Sequence, residues 1–130
     1  MRTIDTHKVN PANDRLTITV MDRPGAGGAS HLYLIEGFDT RGNPSDIGEP
    51  HMVAVPILFQ NGPIPEAGVN GLTHEALLAI VADRLQSFQS GPYANEFNAA
   101  ALQHVEAAQA ALQARTKSRM ARGVEGTHQV

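Results

Sequence analysis

Basic residues gather near the C-terminus of this 130-residue chain. Four of its ten Lys and Arg residues fall close together, at Arg115, Lys117, Arg119 and Arg122. Three of them continue a spacing of three and four residues that is typical of one helix face, at Val105, Ala108, Leu112, Arg115, Arg119 and Arg122. Guanidinium groups bind phosphate through paired, planar hydrogen bonds, so an inward stripe of them predicts a pocket for an anion. Because the helix dipole also favours Lys and Arg in a last turn, a solvated basic face is the alternative, and the pattern alone favours it.

Aromatic and amide side chains lie on either side of a Gly-Pro turn earlier in the chain. Phe88 and Tyr93 flank this turn, and Asn95 and Asn98 open the segment that follows it. Aromatic rings stack on nucleobases and amides hydrogen-bond to base edges or ribose, so these four side chains could converge on a nucleotide. Phe88 could equally be a core residue.

The sequence lacks the motifs of the common catalytic and metal-binding sites. The chain has no Cys, which excludes thiolate nucleophiles and disulfides. His74-Glu75 begins like a zincin helix, but Leu78 stands where the second histidine ligand must be. No serine lies in a nucleophile elbow, and the glycine-rich segment 24–30 precedes a predicted strand rather than the helix that a phosphate-binding loop requires. We therefore expect no catalytic site, no metal and no cofactor.

Composition predicts one folded domain over residues 1–130. The chain is 42% hydrophobic and 18% charged, which excludes a disordered protein, and no apolar run is long enough to span a membrane. The start of the chain has no apolar signal segment, so we expect an intracellular protein. The net charge of −3 argues against binding long nucleic acids.

Periodicity divides the chain into a β-rich half, about 1–60, and a two-helix half, about 73–122. Period-two alternation predicts strands at 15–21 and 31–38, and a mostly apolar run predicts a third at 52–60. Pro56 in the third implies a sheet edge, a bulge or a break. Their connections are too short for crossover helices, which favours an antiparallel meander. Thr73 is a predicted N-cap for the first helix, and an alanine-rich helix runs from about Ala94 to Arg122. The fold class is α+β, with the small side chains favouring packed helices and a homo-oligomer.

The helical half resembles a known family. The motifs that carry the resemblance are Phe59-Gln60-Asn61-Gly62-Pro63-Ile64, the run from Gly68 to Leu78, Phe88-Gln89-Ser90-Gly91-Pro92-Tyr93, Arg115-Thr116, and the run from Arg122 to His128. They are similar to those of phage anti-Thoeris sponges. The resemblance implies a non-enzymatic protein of the host bacterial cytoplasm that holds a cyclic ADP-ribose isomer from a TIR enzyme intact, and in some members cyclic di- or trinucleotides. It also implies a homodimer or higher oligomer, with a hexamer among the expected assemblies.

The resemblance assigns roles to individual positions. Phe88 matches an aromatic residue that stacks on adenine, Asn98 matches an amide near the start of the second helix, and Arg115 matches an arginine that meets phosphate. An N-terminal arginine contact is expected at Arg23 or Arg15. Where the family pattern has an arginine after the Gly-Pro turn, this chain has the run 95–98 with Glu96, so its ligand preference is expected to differ.

Two other functions remain open. The first is a phage accessory or structural protein whose helices mediate protein–protein contacts without binding a nucleotide. The second is an enzyme that acts on nucleotides.

Overall fold

The computed structural model describes residues 1–12 and 14–123. The chain divides into two compact units at the boundary between Asn61 and Gly62. The first unit contains a sheet and the second contains helices. Among the described residues, no helix combines the length and the apolar character that crossing a membrane requires.

The N-terminal unit is built on a four-stranded antiparallel sheet in the order β1-β2-β3-β4. The strands are β1 (Arg2–Ile4), β2 (Thr17–Val20), β3 (Leu32–Glu36) and β4 (Ala54–Leu58). The predicted meander is therefore confirmed, with each predicted strand trimmed at its ends. Strand β1 was not predicted, because three residues are too few to show an alternation.

Pairing in the sheet follows the alternation of apolar side chains. Ile18 lies opposite Ile35, which in turn lies opposite Val55, so one face of the three strands is apolar. Within the described residues, Val20 is the only hydrophobic residue that is fully buried. Pro56 lies in β4, which forms an edge of the sheet, as its missing N–H predicts.

One glycine permits a close backbone approach beside the sheet. Gly37 follows β3 with φ +96°, a conformation that side chains rarely adopt. A Cβ at this position would overlap the carbonyl oxygen of Arg15 and lie 2.7 Å from its carbonyl carbon. The contact between the chain before β2 and the chain after β3 therefore requires glycine.

The second unit contains a short helix and two long ones. They are α1 (Ile64–Ala67), α2 (His74–Gln89) and α3 (Glu96–Ala121). The predicted N-cap of α2 is confirmed, because the Thr73 hydroxyl accepts a hydrogen bond of 3.1 Å from the Ala76 N–H. Helix α3 ends at Ala121 with Arg122 as its C-cap, and Gly123 follows with φ +71°, the left-handed position that stops a helix.

Helices α2 and α3 pack against each other as an antiparallel hairpin. A connection of six residues joins them, and Leu112 near the end of α3 lies beside His74 and Leu77 at the start of α2. The more buried positions of α3 recur every three or four residues, at Leu102, Val105, Gln109, Leu112, Thr116 and Arg119. On α2 the corresponding positions are Leu78, Ala82, Leu85 and Gln89. Over their described lengths, neither helix contains a fully buried residue.

The predicted packing faces of the two helices were partly wrong. At the three-and-four spacing of one helix face, the sequence predicts Leu77, Leu78, Val81, Leu85 and Phe88 on α2 and Val105, Ala108 and Leu112 on α3. Val81 and Phe88 are 44% and 40% exposed, and Ala108 is also exposed. The predicted and the packed positions both repeat every seven residues, but the packed seam steps by four residues where the prediction steps by three. It therefore passes through Ala82, Gln89 and Gln109, each one position later along the chain.

Candidate functional site

The arginines of α3 do not form the single inward stripe that was one of the two interpretations of their spacing. Arg119 is half-buried on the packed side of the helix, whereas Arg115 and Arg122 are exposed. The same shift of the seam explains this correction, since the packed positions pass through Thr116 and Arg119. Arg115 therefore lies on the flank of the hairpin, where its guanidinium faces outward.

An apolar groove lies one helical turn before Arg115. It has a volume of about 400 Å³ and is lined by His74, Leu77, Leu78 and Leu112. Because Leu112 and Arg115 are three residues apart on α3, an apolar surface and a cation are neighbours at this end of the hairpin.

Two exposed aromatic rings mark the opposite end of the hairpin. Phe88 is 40% exposed near the end of α2, and Tyr93 is 73% exposed in the turn. The guanidinium carbon of Arg84 lies 5.8 Å from the centre of the Phe88 ring, a cation–π distance. Phe88 thus stands out of the core, beside a cation, as a stacking residue would.

The two amides beside these rings have different environments. The Asn95 side chain is the N-cap of α3: its Oδ1 accepts from the Asn98 N–H at 2.8 Å, and its Nδ2 donates to the Tyr93 carbonyl at 3.2 Å. Its backbone N–H donates to Gln89 Oε1 at 3.1 Å. Asn98 is half-buried on the first turn of α3. Asn95 therefore has a structural task that the sequence prediction did not include.

The predicted site residues fall into two groups at opposite ends of the hairpin. Asn98 and Arg115 lie on the same helix and are seventeen positions apart. At a rise of 1.5 Å per residue, this separation is about 25 Å along the helix axis. Within one chain, the aromatic and amide group is therefore not brought together with the arginine group.

Phe88 of the first group and Arg115 of the second nevertheless lie on one side of the hairpin. Phe88, Val81 and Arg115 each lie one position before a packed residue of the seam. In an antiparallel helix pair, the positions that precede the seam on both helices point to the same side. We call this side the Phe88–Arg115 face, which comprises Leu77, Val81, Arg84 and Phe88 of α2 and His104, Ala108, Ala111 and Arg115 of α3.

Arg23 lies in the N-terminal unit and lines a cavity there. The cavity has a volume of about 420 Å³, and its lining residues are Met1, Arg2, Val20, Asp22, Arg23, Pro24, Gly28, Ala29, Ser30 and Tyr33. Two arginines and the Asp22 side chain thus lie around one space, where the Ser30 hydroxyl and the Tyr33 phenol already donate to the carbonyls of Asp22 and Ser30. This arrangement can accept an anion. Arg15 is exposed in the same unit but does not line the cavity.

Sequence reasoning missed the polar contacts that build the wall of this cavity. The Asp22 carboxylate accepts hydrogen bonds from the backbone N–H groups of His31 and Leu32. These bonds, led by the one from Leu32, hold the pKa of Asp22 below its ordinary value. The only available sequence signal was an aspartate that directly follows a strand and precedes a glycine-rich loop.

A second polar cluster holds the loop between β3 and β4. Asp46 accepts from the Thr40 hydroxyl and from the Gly48 N–H, and it lies 3.2 Å from His51 Nδ1. The Thr40 hydroxyl oxygen accepts from the Met52 N–H at 2.8 Å. Thr40 first, then His51, lowers the pKa of Asp46. The cluster ties the two ends of the loop together and is structural.

Across the described ranges, no group of three or more His, Asp or Glu side chains could hold a metal ion.

Comparison with known proteins identifies the helical half. Residues 53–117, half of the chain, match the family described as the Acb2/Tad1 hairpin domain. A relative named Thoeris anti-defense 1, from Bacillus phage SBSphiJ7, is 46% identical over 71 residues, which are 55% of this chain and 50% of the relative. The chain thus spans about half the length of the curated relative that it matches.

The matched segment covers α2 and most of α3, as far as Lys117, the second of the four clustered basic residues. Of the motifs that carried the resemblance, the one that ends at His128 lies beyond position 123, outside the described residues, except for its first two positions. The protein belongs to the Acb2/Tad1 hairpin-domain family, which confirms the resemblance to the anti-Thoeris sponges.

Proposed function

We propose that this protein is a non-enzymatic anti-defence sponge that binds a cyclic nucleotide immune signal and keeps it from its effector. The ligand class is cyclic ADP-ribose isomers made by TIR enzymes, with cyclic di- or trinucleotides as further ligands. The observation that carries this proposal is the position of Phe88 and Arg115 on one side of a hairpin that keeps them far apart. The relative's name, Thoeris anti-defense 1, supports the same class of function.

A second copy of the chain can complete the site. If two hairpins pair through their Phe88–Arg115 faces about a two-fold axis perpendicular to the helices, the turn of each hairpin lies against the basic end of the other. Phe88 and Asn98 of one copy then meet Arg115 of its partner. The small side chains at the centre of this face, Ala108 and Ala111, permit close approach of the partner helix. Val81, which is 44% exposed in the single chain, is then buried.

The residues of this composite site suit the two ends of a nucleotide ligand. The Phe88 ring stacks on the base, and the Asn98 amide hydrogen-bonds to the base or ribose. Arg115 binds phosphate, with Arg119 and Arg122 on the same end of α3 adding positive charge. Tyr93 and Asn95 border the base at the turn. We propose Arg23 as a ligand contact of the N-terminal unit, because it lines a cavity together with a second arginine.

Sequestration rather than turnover fits this set of residues. A sponge must bury most of a small ligand at low concentration, and a rigid helix-lined site does so with little ordering cost. Among the residues proposed to touch the ligand, none pairs a nucleophile with a general base. The protein acts in the cytoplasm of the infected host, as a homodimer or a higher oligomer, and does not bind long nucleic acids.

Calorimetry with a panel of cyclic ADP-ribose isomers and cyclic oligonucleotides tests the proposal. The wild type should bind at least one of them, and Arg115→Ala should weaken that binding. Lys117→Ala is the matched control, because it removes an exposed positive charge from the same part of α3 on the other side of the helix. No binding by the wild type, or equal losses in the two variants, would contradict the proposed site.

One observation also favours a protein-binding role. The exposed apolar side chains on α2, Ile80 and Val81, would suit a contact with another protein. In that case the protein is a phage accessory or structural protein, the oligomer binds no nucleotide, and Arg115→Ala changes stability by only tenths of a kcal/mol. An enzyme is distinguished from a sponge by the bound ligand, which a sponge releases intact after heating.

A further inference from the structure

The loop that follows β2 is closed by its own backbone. The Gly25 N–H donates to the Ala29 carbonyl at 2.8 Å, and the Gly28 N–H donates back to the Gly25 carbonyl at 2.9 Å. Gly27 and Gly28 have φ of +75° and +78°, and nothing lies within 4 Å of a Cβ placed on either. The loop therefore has an internal shape, with its glycines facing open space.

A single carboxylate fastens this loop to the sheet. Asp22 Oδ1 accepts from the N–H groups of His31 and Leu32, and Oδ2 accepts from His31, each at 3.0 Å. The Ser30 hydroxyl donates to the Asp22 carbonyl at 2.9 Å. Asp22, at the start of the loop, thus binds Ser30, His31 and Leu32, where the loop joins β3. Because its carboxylate is turned toward backbone N–H groups, its negative charge is compensated beside a cavity that contains two arginines.

The buried His31 side chain packs against the backbone of this loop. His31 is 6% exposed, and within the described residues its Nδ1 has no hydrogen-bond partner, although Asp22 Oδ2 lies 3.9 Å away. A Cβ added to Gly25 would lie 3.4 Å from His31 Cε1, so the loop backbone rests on the imidazole ring. The anchored aspartate and the buried ring fix the loop from two directions.

The contacts of Asp22 and His31 set the position of Arg23 beside the cavity. Arg23 directly follows Asp22, and both line the same cavity with Arg2, Ser30 and Tyr33. We infer that Asp22 is a positioning residue for ligand capture: it holds the loop 23–30 closed, and so holds the Arg23 guanidinium at the cavity. This inference rests on the proposed function, in which Arg23 contacts the anionic ligand.

The test uses the full-length protein with Asp22→Ala, Asp22→Asn, Arg23→Ala and the double variant Asp22→Ala/Arg23→Ala. The probes are cyclic ADP-ribose isomers and cyclic dinucleotides, titrated by calorimetry. Asp22→Ala should weaken binding about tenfold or more, since a loop freed at its base must be ordered again on binding. Asp22→Asn should restore most of the affinity, because its Oδ1 still accepts from the backbone. In the Arg23→Ala background, Asp22→Ala should have no further effect.

Nuclear magnetic resonance provides a readout that does not need a ligand. In Asp22→Ala, the amides of His31 and Leu32 should exchange about tenfold faster or more, and the heteronuclear NOE of the Arg23 backbone amide should fall. Exchange at Ile18 and Ile35 in the sheet should stay unchanged, which separates loop release from general destabilisation.

Three results would overturn the inference: an unchanged Arg23 NOE in Asp22→Ala, a loss of affinity that persists in the Arg23→Ala background, or no recovery in Asp22→Asn. If the wild type binds none of the probes, the proposed function fails, and the Arg23 NOE alone then supports or overturns the positioning role of Asp22.

Discussion

Mixing two inactive variants should restore binding if the site is shared between copies of the chain. In Phe88→Ala the stacking ring is lost, and in Arg115→Ala the phosphate contact is lost. A site formed by Phe88 of one copy and Arg115 of another is intact when the first copy carries only Arg115→Ala and the second only Phe88→Ala. Random assembly of equal amounts therefore makes about one quarter of the sites wild type.

The distance between the two groups is the reason to expect a shared site, and the type of each contact gives the loss of affinity expected in each variant. A distance of about 25 Å along α3 is five turns of helix, which one small ligand does not bridge within one chain. Loss of a base stack costs about 1–3 kcal/mol, or roughly 5- to 150-fold in Kd. Loss of a charged hydrogen bond costs about 1.5–3 kcal/mol, or roughly 10- to 150-fold. Because Phe88 is 40% exposed and Arg115 is exposed, both variants should keep a Tm within a few degrees of the wild type, roughly as surface substitutions do.

The assay is calorimetric titration after the two variants are unfolded and refolded together. About one quarter of the wild-type number of tight sites should appear, whereas each variant refolded alone should show none. As a control, wild type refolded with the double variant Phe88→Ala/Arg115→Ala should retain about one quarter of the sites if they are shared, and about one half if each chain holds its own. No tight sites in the first mixture and one half in the second would refute the shared site.

Three further predictions concern the fold that holds the site. Gly37→Ala should lower the free energy of unfolding by at least roughly 1–3 kcal/mol in chemical denaturation, because its Cβ would overlap the Arg15 carbonyl at a positive φ, whereas Gly42→Ala, with nothing within 4 Å, should be nearly neutral. Asn95→Ala should cost about 1 kcal/mol of stability through loss of the α3 N-cap, and Asn95→Asp should retain the cap; equal Tm values for both would show that Asn95 does not stabilise the helix. The Asp46 pKa is lowered in the fold, so the stability that its contacts provide is present above the ordinary Asp pKa of 3.8 and is lost as pH falls through the lower folded value. The protection factor of the Met52 amide, whose acceptor Thr40 is bound to Asp46, should therefore fall at acid pH in the wild type, and should already be low at neutral pH in Asp46→Ala.

Much of the fold could be predicted from local patterns. The Thr-Ile-Thr-Val alternation predicted strand β2 of the meander, and the proline of β4 indicated the edge of the sheet. Each pattern reflects a backbone requirement of the strand that carries it. Thr73 and Asn95 are N-cap residue types, although Asn95 was assigned to a ligand instead. A three-residue strand such as β1 carries too little pattern to be found.

The site was harder to predict, because it depends on which residues face the seam of the hairpin. A shift of one position places Ala82 and Thr116 against the partner helix and leaves Val81 and Arg115 on the flank. The predicted and the packed positions share one seven-residue repeat, so spacing alone does not distinguish a seam that steps by three residues from one that steps by four at the same place. The Asp22 side chain binds the backbone of His31, nine positions later in the chain, and no periodic pattern in the sequence indicates such a contact.

Native mass spectrometry of the wild type with a mixture of cyclic ADP-ribose isomers and cyclic oligonucleotides tests sequestration most directly. The account predicts an oligomer that carries a bound cyclic nucleotide and releases the same mass, uncleaved, after heating. An oligomer without added mass, or the release of a cleaved product, would contradict it.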